Sequence, residues 1–109
     1  MTGATQALAA RSCAPDATKL SEPDLAEYLQ ALPGWSRVGD ALQKEFEFPD
    51  FARTIAFVNS VAALAEREDH HPDLEVHYGR CMVSWSTHSA GGITLNDVIC
   101  AAKVEGLRL

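Results

Sequence analysis

The pattern that most constrains the fold of this 109-residue chain is a long amphipathic stretch from about Phe51 to Glu68. Its apolar residues recur three and four positions apart, which is the spacing of one face of an α-helix. Pro49-Asp50 precedes the stretch and Pro72 follows it, so residues that interrupt regular structure flank both ends. The apolar surface is wider than one sheet face usually covers. We therefore predict a helix that packs on a sheet and contributes to a subunit interface. Its two apolar stripes are Phe51, Ile55, Val58, Ala62 and Ala65, and Phe57, Val61 and Leu64.

Alternation of apolar and polar residues predicts two β-hairpins, one on each side of that helix. Further helices are predicted to begin at Ser21 and at Thr94, each followed by an acidic residue three positions later. The order helix, two strands, helix, two strands, helix predicts an α+β domain: a four-stranded antiparallel sheet with three helices on one face. We expect residues 1–19 to form a mobile tail and residues 20–109 to form a single domain. The predicted strands span residues 35–38, 41–48, 74–78 and 81–88.

Composition excludes several classes of function. A net charge of −6 argues against a nucleic-acid partner, and no apolar run is long enough to span a membrane. Three cysteines at unrelated spacings fit neither a disulfide framework nor a zinc motif, so we expect free thiols in a reducing compartment. The N-terminus lacks the basic and apolar regions of a secretory signal, and we expect a cytoplasmic protein.

A cluster of polar residues around His70-His71-Pro72 carries the clearest chemical signal. Imidazole titrates near physiological pH, so a cluster of histidines can both give and take protons. No other catalytic motif accompanies these histidines, and the pattern therefore indicates proton-transfer chemistry. In chain order, the pattern consists of Glu66, His70, His71, Pro72, Tyr78, His88 and Asp97.

His70 and His71 lie where the long predicted helix ends. The partial negative charge at a helix C-terminus favours a protonated imidazole by about 0.3–1 kcal/mol at an exposed position. The carboxylates of Glu66, Glu68 and Asp69 act in the same direction. We expect at least one of the two histidines to serve as a general acid. The alternative, a helix cap, accounts for only one of them.

Each of the other residues also has a structural explanation. Thr94 and Asp97 have the spacing of a capping box, which alone could account for the aspartate. Tyr78 shares the parity of apolar strand residues and is expected to pack in the core or at its rim. Trp35 fits either a core anchor or a flat wall for a ring. His88 alone would be an ordinary surface histidine, and Glu66 alone a solvated residue on a helix.

Competing kinds of site fit the sequence less well. Adjacent histidines point in different directions, and no helical His-x3-His spacing is present, which argues against a metal site. His77 falls on the polar face of its predicted strand and is expected to be solvated. The sequence also lacks a Gly-x-Ser-x-Gly nucleophile motif and a glycine-rich phosphate loop.

The whole pattern resembles that of the pterin-4a-carbinolamine dehydratase family, in which an acidic residue, His-His-Pro, an aromatic residue, a third histidine and an aspartate follow one another at these spacings. The likeness extends from about Leu20 to Gly106. It includes Leu32-Pro33-Gly34-Trp35 and Ser86-Thr87-His88. Leu74 departs from the pattern, because relatives often have an aromatic residue there.

This resemblance implies dehydration of a 4a-hydroxytetrahydropterin to the quinonoid dihydropterin, in the recycling of tetrahydropterin after aromatic amino acid hydroxylation. The elimination needs no metal and no further cofactor. By the same resemblance, His70 and His88 are the acid–base pair, and His71 positions the pterin and assists. The implied substrate-binding residues are His70, His71, Pro72, Thr87, His88, Ser89 and Ala90, and the implied supporting residues are Glu66, Asp69, Tyr78, Asp97 and Trp35.

The resemblance also implies partners. They are a pterin substrate, an aromatic amino acid hydroxylase as a functional partner, and further copies of the chain in a homodimer or homotetramer. The alternative function comes from another class: a non-catalytic binding or assembly partner, such as a transcription coactivator or an accessory protein of another enzyme. The three histidines favour the enzyme.

Overall fold

Two hairpins join into one antiparallel sheet in a computed structural model, which describes residues 3–107. The strand order is β1-β2-β4-β3, and every neighbouring pair is antiparallel. The predicted α+β class and four-stranded sheet are confirmed, although the described residues contain four α-helices rather than three. The elements are α1 (Gly3–Ala9), α2 (Glu22–Gln30), β1 (Ser36–Val38), β2 (Ala41–Glu47), α3 (Phe51–Glu68), β3 (Asp73–Val76), β4 (Arg80–Trp85), a 3₁₀ turn (His88–Ala90) and α4 (Leu95–Glu105).

The core lies between the helices and one face of the sheet. In β4, Cys81, Val83 and Trp85 are fully buried, whereas the intervening side chains are only partly covered. Leu42 of β2 is paired with Trp85 and is also fully buried. Helices α3 and α4 both pack on the sheet, so the alternation in the sequence corresponds to a covered face and an open one.

Polar side chains begin three of the helices where the sequence predicts. Ser21 accepts a hydrogen bond from the Asp24 amide, and Asp50 accepts one from the Arg53 amide. Thr94 and Asp97 form a complete capping box at the start of α4. These bonds satisfy amide groups that the first turn of a helix leaves without partners, which is why the helices begin at these residues.

The two apolar stripes of α3 have different surroundings. Phe57, Val61 and Leu64 are buried in the core. In the other stripe Phe51 is 49% exposed, Ile55 and Val58 are partly covered and Ala62 is exposed, whereas Ala65 at its C-terminal end is buried in the core. Across residues 3–107, no helix is both long and apolar enough to cross a membrane.

The N-terminal segment differs from the predicted mobile tail. Helix α1 packs against α4, with Leu8 buried in the core. Lys103 of α4 donates a hydrogen bond from Nζ to the carbonyl of Ala9 at 2.7 Å. A helix of seven residues shows too little periodicity to be recognised in a sequence, and only tertiary contact stabilises one so short. The assignment of residues 20–109 to one domain stays a prediction.

Candidate active site

The backbone at the end of α3 fixes the position of His70. The helix ends at Glu68, and Asp69 adopts the left-handed conformation with φ of 49°. The His70 amide then donates back to the carbonyl of Ala65 at 3.2 Å, which closes the helix with a sharp turn. This turn ends the helix four residues before Pro72 and directs His70 back toward the protein.

His70 pairs with Asp97, which lies 27 positions later in α4. The distance from His70 Nε2 to Asp97 Oδ1 is 2.6 Å, and the Asp97 side chain is 0% exposed. The other carboxylate oxygen, Oδ2, accepts hydrogen bonds from Thr87 Oγ1 at 2.7 Å and from the Thr94 amide at 2.8 Å. Asp97 therefore caps its helix, as the capping explanation predicts, and also holds the histidine.

This network assigns the tautomer of His70. An ionised carboxylate can only accept hydrogen bonds, so Nε2 carries the hydrogen that points at Asp97. Nδ1 has no hydrogen-bond partner among residues 3–107. A neutral His70 thus keeps a lone pair on Nδ1, and the imidazolium that forms on protonation is stabilised by the adjacent anion.

Trp85 is a residue of this site that the sequence analysis missed. Its ring stacks on the imidazole of His70, with centroids 5.5 Å apart and an angle of 20° between the planes. The alternation in β4 predicts that Trp85 faces the core, but nothing in the sequence connects it with His70. The stacked ring and the bond to Asp97 together fix the orientation of the imidazole.

Thr87 lines the cavity and also supports Asp97. Its hydroxyl donates to Asp97 and accepts a hydrogen bond from the hydroxyl of Thr94, 2.9 Å away. The hydrogen of this hydroxyl is therefore committed to the carboxylate that holds His70. Substrate binding by Thr87 stays a prediction.

His88 lies in the 3₁₀ turn rather than at the end of a strand. Strand β4 ends at Trp85, and paired hydrogen bonds between Thr87 and Gly92 fold the intervening loop back on itself. His88 and Ser89 are exposed, and Ala90 is partly covered. The turn places Thr87 and Ser89 beside the same cavity as His70, whereas His88 is not among the residues that line this cavity.

His71 and the nearby acidic residues lie at the rim of the site. His71 is exposed, and its Nε2 is 3.8 Å from Oε2 of the exposed Glu66, a loose ion-pair distance. Asp69 lines the cavity with His70, whereas Pro72 is partly covered beyond the turn. His71 and Glu66 are not among the residues that line the cavity.

The cavity beside His70 has a volume of about 410 Å³ and is open to solvent. Its lining comes from the end of α3, from the 3₁₀ turn and the residue before it, from the start of α4, and from the segment that follows α1. Such a volume accommodates a small heterocycle. The lining residues are Cys13, Ala14, Pro15, Glu68, Asp69, His70, Thr87, Ser89 and Asn96.

Two of the predicted supporting residues lie outside this site. Tyr78 is 69% exposed and stacks on Phe51 at the N-terminal end of α3, about 25 Å along the helix from its C-terminal end at Glu68. Trp35 is buried against Phe46 in an edge-to-face contact, which identifies it as a core anchor. Neither residue lines the cavity beside His70.

No group of three or more histidine, cysteine, aspartate or glutamate side chains in the described part of the chain is arranged to hold a metal ion. The side chains of these types that lie nearest to one another are instead joined in hydrogen-bonded pairs. His70 bonds to Asp97, and His77 lies 2.9 Å from Glu75 near the opposite end of β3. The arrangement at His70 is suited to moving a proton between an imidazole and a bound molecule.

Comparison with known proteins identifies relatives over most of the chain. The family model described as pterin 4 alpha carbinolamine dehydratase matches residues 18–107. A protein of Xanthomonas oryzae pv. oryzae with the provisional name pterin-4-alpha-carbinolamine dehydratase is 56% identical over 91 residues, which is 82% of this chain and 77% of that protein. A protein of Chromobacterium violaceum with the same provisional name is 49% identical over 98 residues, or 88% of this chain and 91% of its own.

Two solved structures are also similar. The transcriptional coactivator/pterin dehydratase of Brucella melitensis has a TM-score of 0.78 and 36% identity, and the match covers 82% of this chain and 97% of that one. A pterin dehydratase-like protein described as a RuBisCO assembly factor in the alpha-carboxysome has a TM-score of 0.54 and 25% identity, covering 66% of this chain and 83% of that one. Both similarities support the fold; one of these proteins is described as a coactivator and dehydratase, and the other as an assembly factor.

Proposed function

Because the chain belongs to the pterin-4a-carbinolamine dehydratase family, we propose that it converts a 4a-hydroxytetrahydropterin, such as 4a-hydroxytetrahydrobiopterin, into the quinonoid dihydropterin and water. The reaction recycles tetrahydropterin after an aromatic amino acid hydroxylase has produced the carbinolamine. The observation that carries this proposal is the 2.6 Å contact between His70 and the buried carboxylate of Asp97 at the edge of an open cavity. We place the protein in the cytoplasm.

The proposed chemistry moves two protons. One leaves N5 of the pterin and another joins the hydroxyl on C4a; the C4a–O bond breaks, and a C4a=N5 double bond forms as water departs. His70 suits the role of base, because its Nδ1 has a lone pair and Asp97 stabilises the resulting imidazolium. His88 suits the role of acid, because an exposed imidazole exchanges protons with solvent and is reprotonated after each turnover.

The remaining residues act in binding and support. His71 and Pro72 form the rim next to His70, and His71 positions the pterin. Ser89 offers a hydroxyl with no hydrogen-bond partner in residues 3–107, and Ala90 belongs to the same turn. Glu66 and Asp69 contribute negative charge at the rim.

The decisive experiment follows the loss of carbinolamine absorbance in a stopped-flow instrument. We expect His70→Ala and His88→Ala to lower kcat/KM by about 10² to 10⁴, the usual contribution of a positioned acid or base. His77→Ala is the matched control, because this histidine pairs with Glu75 away from the cavity and should retain wild-type activity. Equal rates in all three variants would leave only the non-catalytic function.

A second function is favoured by the exposed apolar surface around Phe51 and Tyr78. Contiguous apolar side chains on a surface commonly mark a protein contact, and this pair is continuous with the outer stripe of α3. The structural relatives named as a coactivator and as an assembly factor suggest a binding partner, and the same surface could join copies of this chain in a homodimer or homotetramer. Light scattering after size exclusion tests the oligomer: a monomeric mass at micromolar concentration would exclude it.

A further inference from the structure

We propose that the segment Cys13–Pro15, here called the N-terminal wall, determines which substituents on the pterin ring the cavity accepts. This inference rests on the proposed function. The wall lines the same cavity as His70, Thr87 and Ser89. It precedes residue 18, where the match to the family model begins, so this side of the cavity comes from outside the matched region.

Side chains of α3 and α4 hold the N-terminal wall in place. The Ala14 amide donates to Asn96 Oδ1 at 2.9 Å, and Asn96 Nδ2 donates to the Ala14 carbonyl at 2.7 Å. The Cys13 amide donates to Glu68 Oε1 at 2.9 Å. Asn96 is 8% exposed, so the side chain that holds Ala14 is itself buried in the protein.

The Cys13 amide and both backbone polar groups of Ala14 are thereby occupied. Both backbone groups of Ala14 bond to Asn96, and the thiol of Cys13 lies 3.6 Å from the Asn96 carbonyl and 3.5 Å from Cys100 Sγ. The side chains that Ala14 and Pro15 present are small and apolar. The other residues that line the cavity include the polar His70, Asp69 and Ser89.

The chemistry of the substrate places its substituent near this wall. C6 of a pterin is bonded to N5, the atom that loses a proton in the proposed reaction. The first atom of a substituent on C6 is therefore two bonds from N5, and the substituent occupies the space beside His70. The wall bounds that space, and an apolar wall discriminates by size because an ill-fitting methylene there costs roughly 10- to 200-fold in kcat/KM.

The test compares carbinolamines with a 6-methyl and a 6-(1,2-dihydroxypropyl) substituent. Ala14→Leu should reduce kcat/KM for the longer substituent by about tenfold or more relative to the 6-methyl substrate, mainly through KM. Ala14→Gly should shift the same ratio in the opposite direction. Ala10→Leu is the matched control, since Ala10 is exposed in the same segment and does not line the cavity.

A folding defect would not obscure the result, because Asn96 binds only backbone atoms of Ala14 and the side chain is exposed. Calorimetric binding of the unreactive 7,8-dihydropterins with the same two substituents provides a readout that does not need turnover. An inactive wild type would disprove the dehydratase proposal while leaving this binding comparison intact. If the ratio of kcat/KM for the longer substituent to kcat/KM for the 6-methyl substrate is the same in the wild type, Ala14→Leu and Ala14→Gly, the proposed role of the wall is overturned.

Discussion

Replacement of Asp97 by asparagine tests whether the buried carboxylate sets the protonation pattern of His70. Asparagine retains one oxygen, which can still accept from the Thr94 amide and the Thr87 hydroxyl, so the helix cap is preserved. Its NH₂ group then occupies the position of Oδ1 and faces His70 Nε2. Two donors cannot bond to each other, and the imidazole must move its hydrogen from Nε2 to Nδ1. That change removes the lone pair with which the proposed base acts.

The expected loss follows from the bond that disappears. A charge-assisted hydrogen bond contributes about 1.5–3 kcal/mol, and the contact between His70 and the fully buried Asp97 is short. At 1.36 kcal/mol for each factor of ten, kcat/KM should fall by roughly 10- to 150-fold. The free energy of unfolding should change far less in Asp97→Asn than in Asp97→Ala. The alanine variant leaves His70 Nε2, the Thr87 hydroxyl and the Thr94 amide without their acceptor and should cost about 3–5 kcal/mol.

Three measurements distinguish these effects. Stopped-flow absorbance gives kcat/KM, urea denaturation gives the free energy of unfolding, and ¹⁵N-detected NMR of the imidazole identifies the protonated nitrogen. The exposed Asp40, changed to asparagine, controls for the loss of one negative charge. The reasoning would be refuted by a folded Asp97→Asn protein that keeps wild-type kcat/KM, or by an unchanged Nε2–H tautomer of His70.

Three further predictions concern the surroundings of the site. Thr87→Val removes a donor to the buried carboxylate of Asp97 and should lower the free energy of unfolding, measured in urea, by about 1–3 kcal/mol. Thr87→Ser retains the hydroxyl and should recover most of the lost stability. Equal stabilities of the two variants would argue against the hydrogen bond between Thr87 and Asp97. Because Cys13 Sγ and Cys100 Sγ are 3.5 Å apart, mild oxidation with diamide should join them in a disulfide. Mass spectrometry of the intact chain should then show the loss of two hydrogens. A failure to form this disulfide would contradict the docked position of the N-terminal wall. Burial raises the pKa of the Cys81 thiol from its usual value of 9.0, so above that pH the unfolded chain releases a proton that the folded chain retains, and the free energy of unfolding should decline. Between pH 8 and 10 the free energy of unfolding of Cys81→Ala should decline less steeply than that of the wild type. A parallel decline in the two proteins would exclude the effect.

Local interactions explain why the main elements could be predicted. The bounds of α3 follow from the spacing of its apolar residues and from Asp50, which caps the helix only three residues from the amide that it binds. The hairpins follow from alternation and from Gly39, whose φ of 59° is the left-handed conformation that such a turn requires. In each case the residues that decide the structure are close together in the sequence.

Prediction was weaker where distant parts of the chain decide the structure. Helix α1 is too short to show a pattern, and its stability depends on α4. Tyr78 has the parity of a core residue, but the chain leaves β3 at Val76, and the tyrosine lies exposed beyond the strand. His88 continues the alternation of β4 in the sequence, but the hydrogen bonds between Thr87 and Gly92 end the strand and form a turn.

The amino-acid sequence by itself determined the kinds of elements, their order, the helix caps and the histidine pattern of the family. These properties depend on spacings of two to four residues, which secondary structure converts directly into shared faces and local hydrogen bonds. Only the tertiary structure decided that Asp97 both caps α4 and holds His70, that Trp85 stacks on that imidazole, and that Asn96 fixes Ala14 from 82 positions away. Such pairings depend on how the helices and the sheet pack against one another, and the spacing of residues along a chain does not specify that packing.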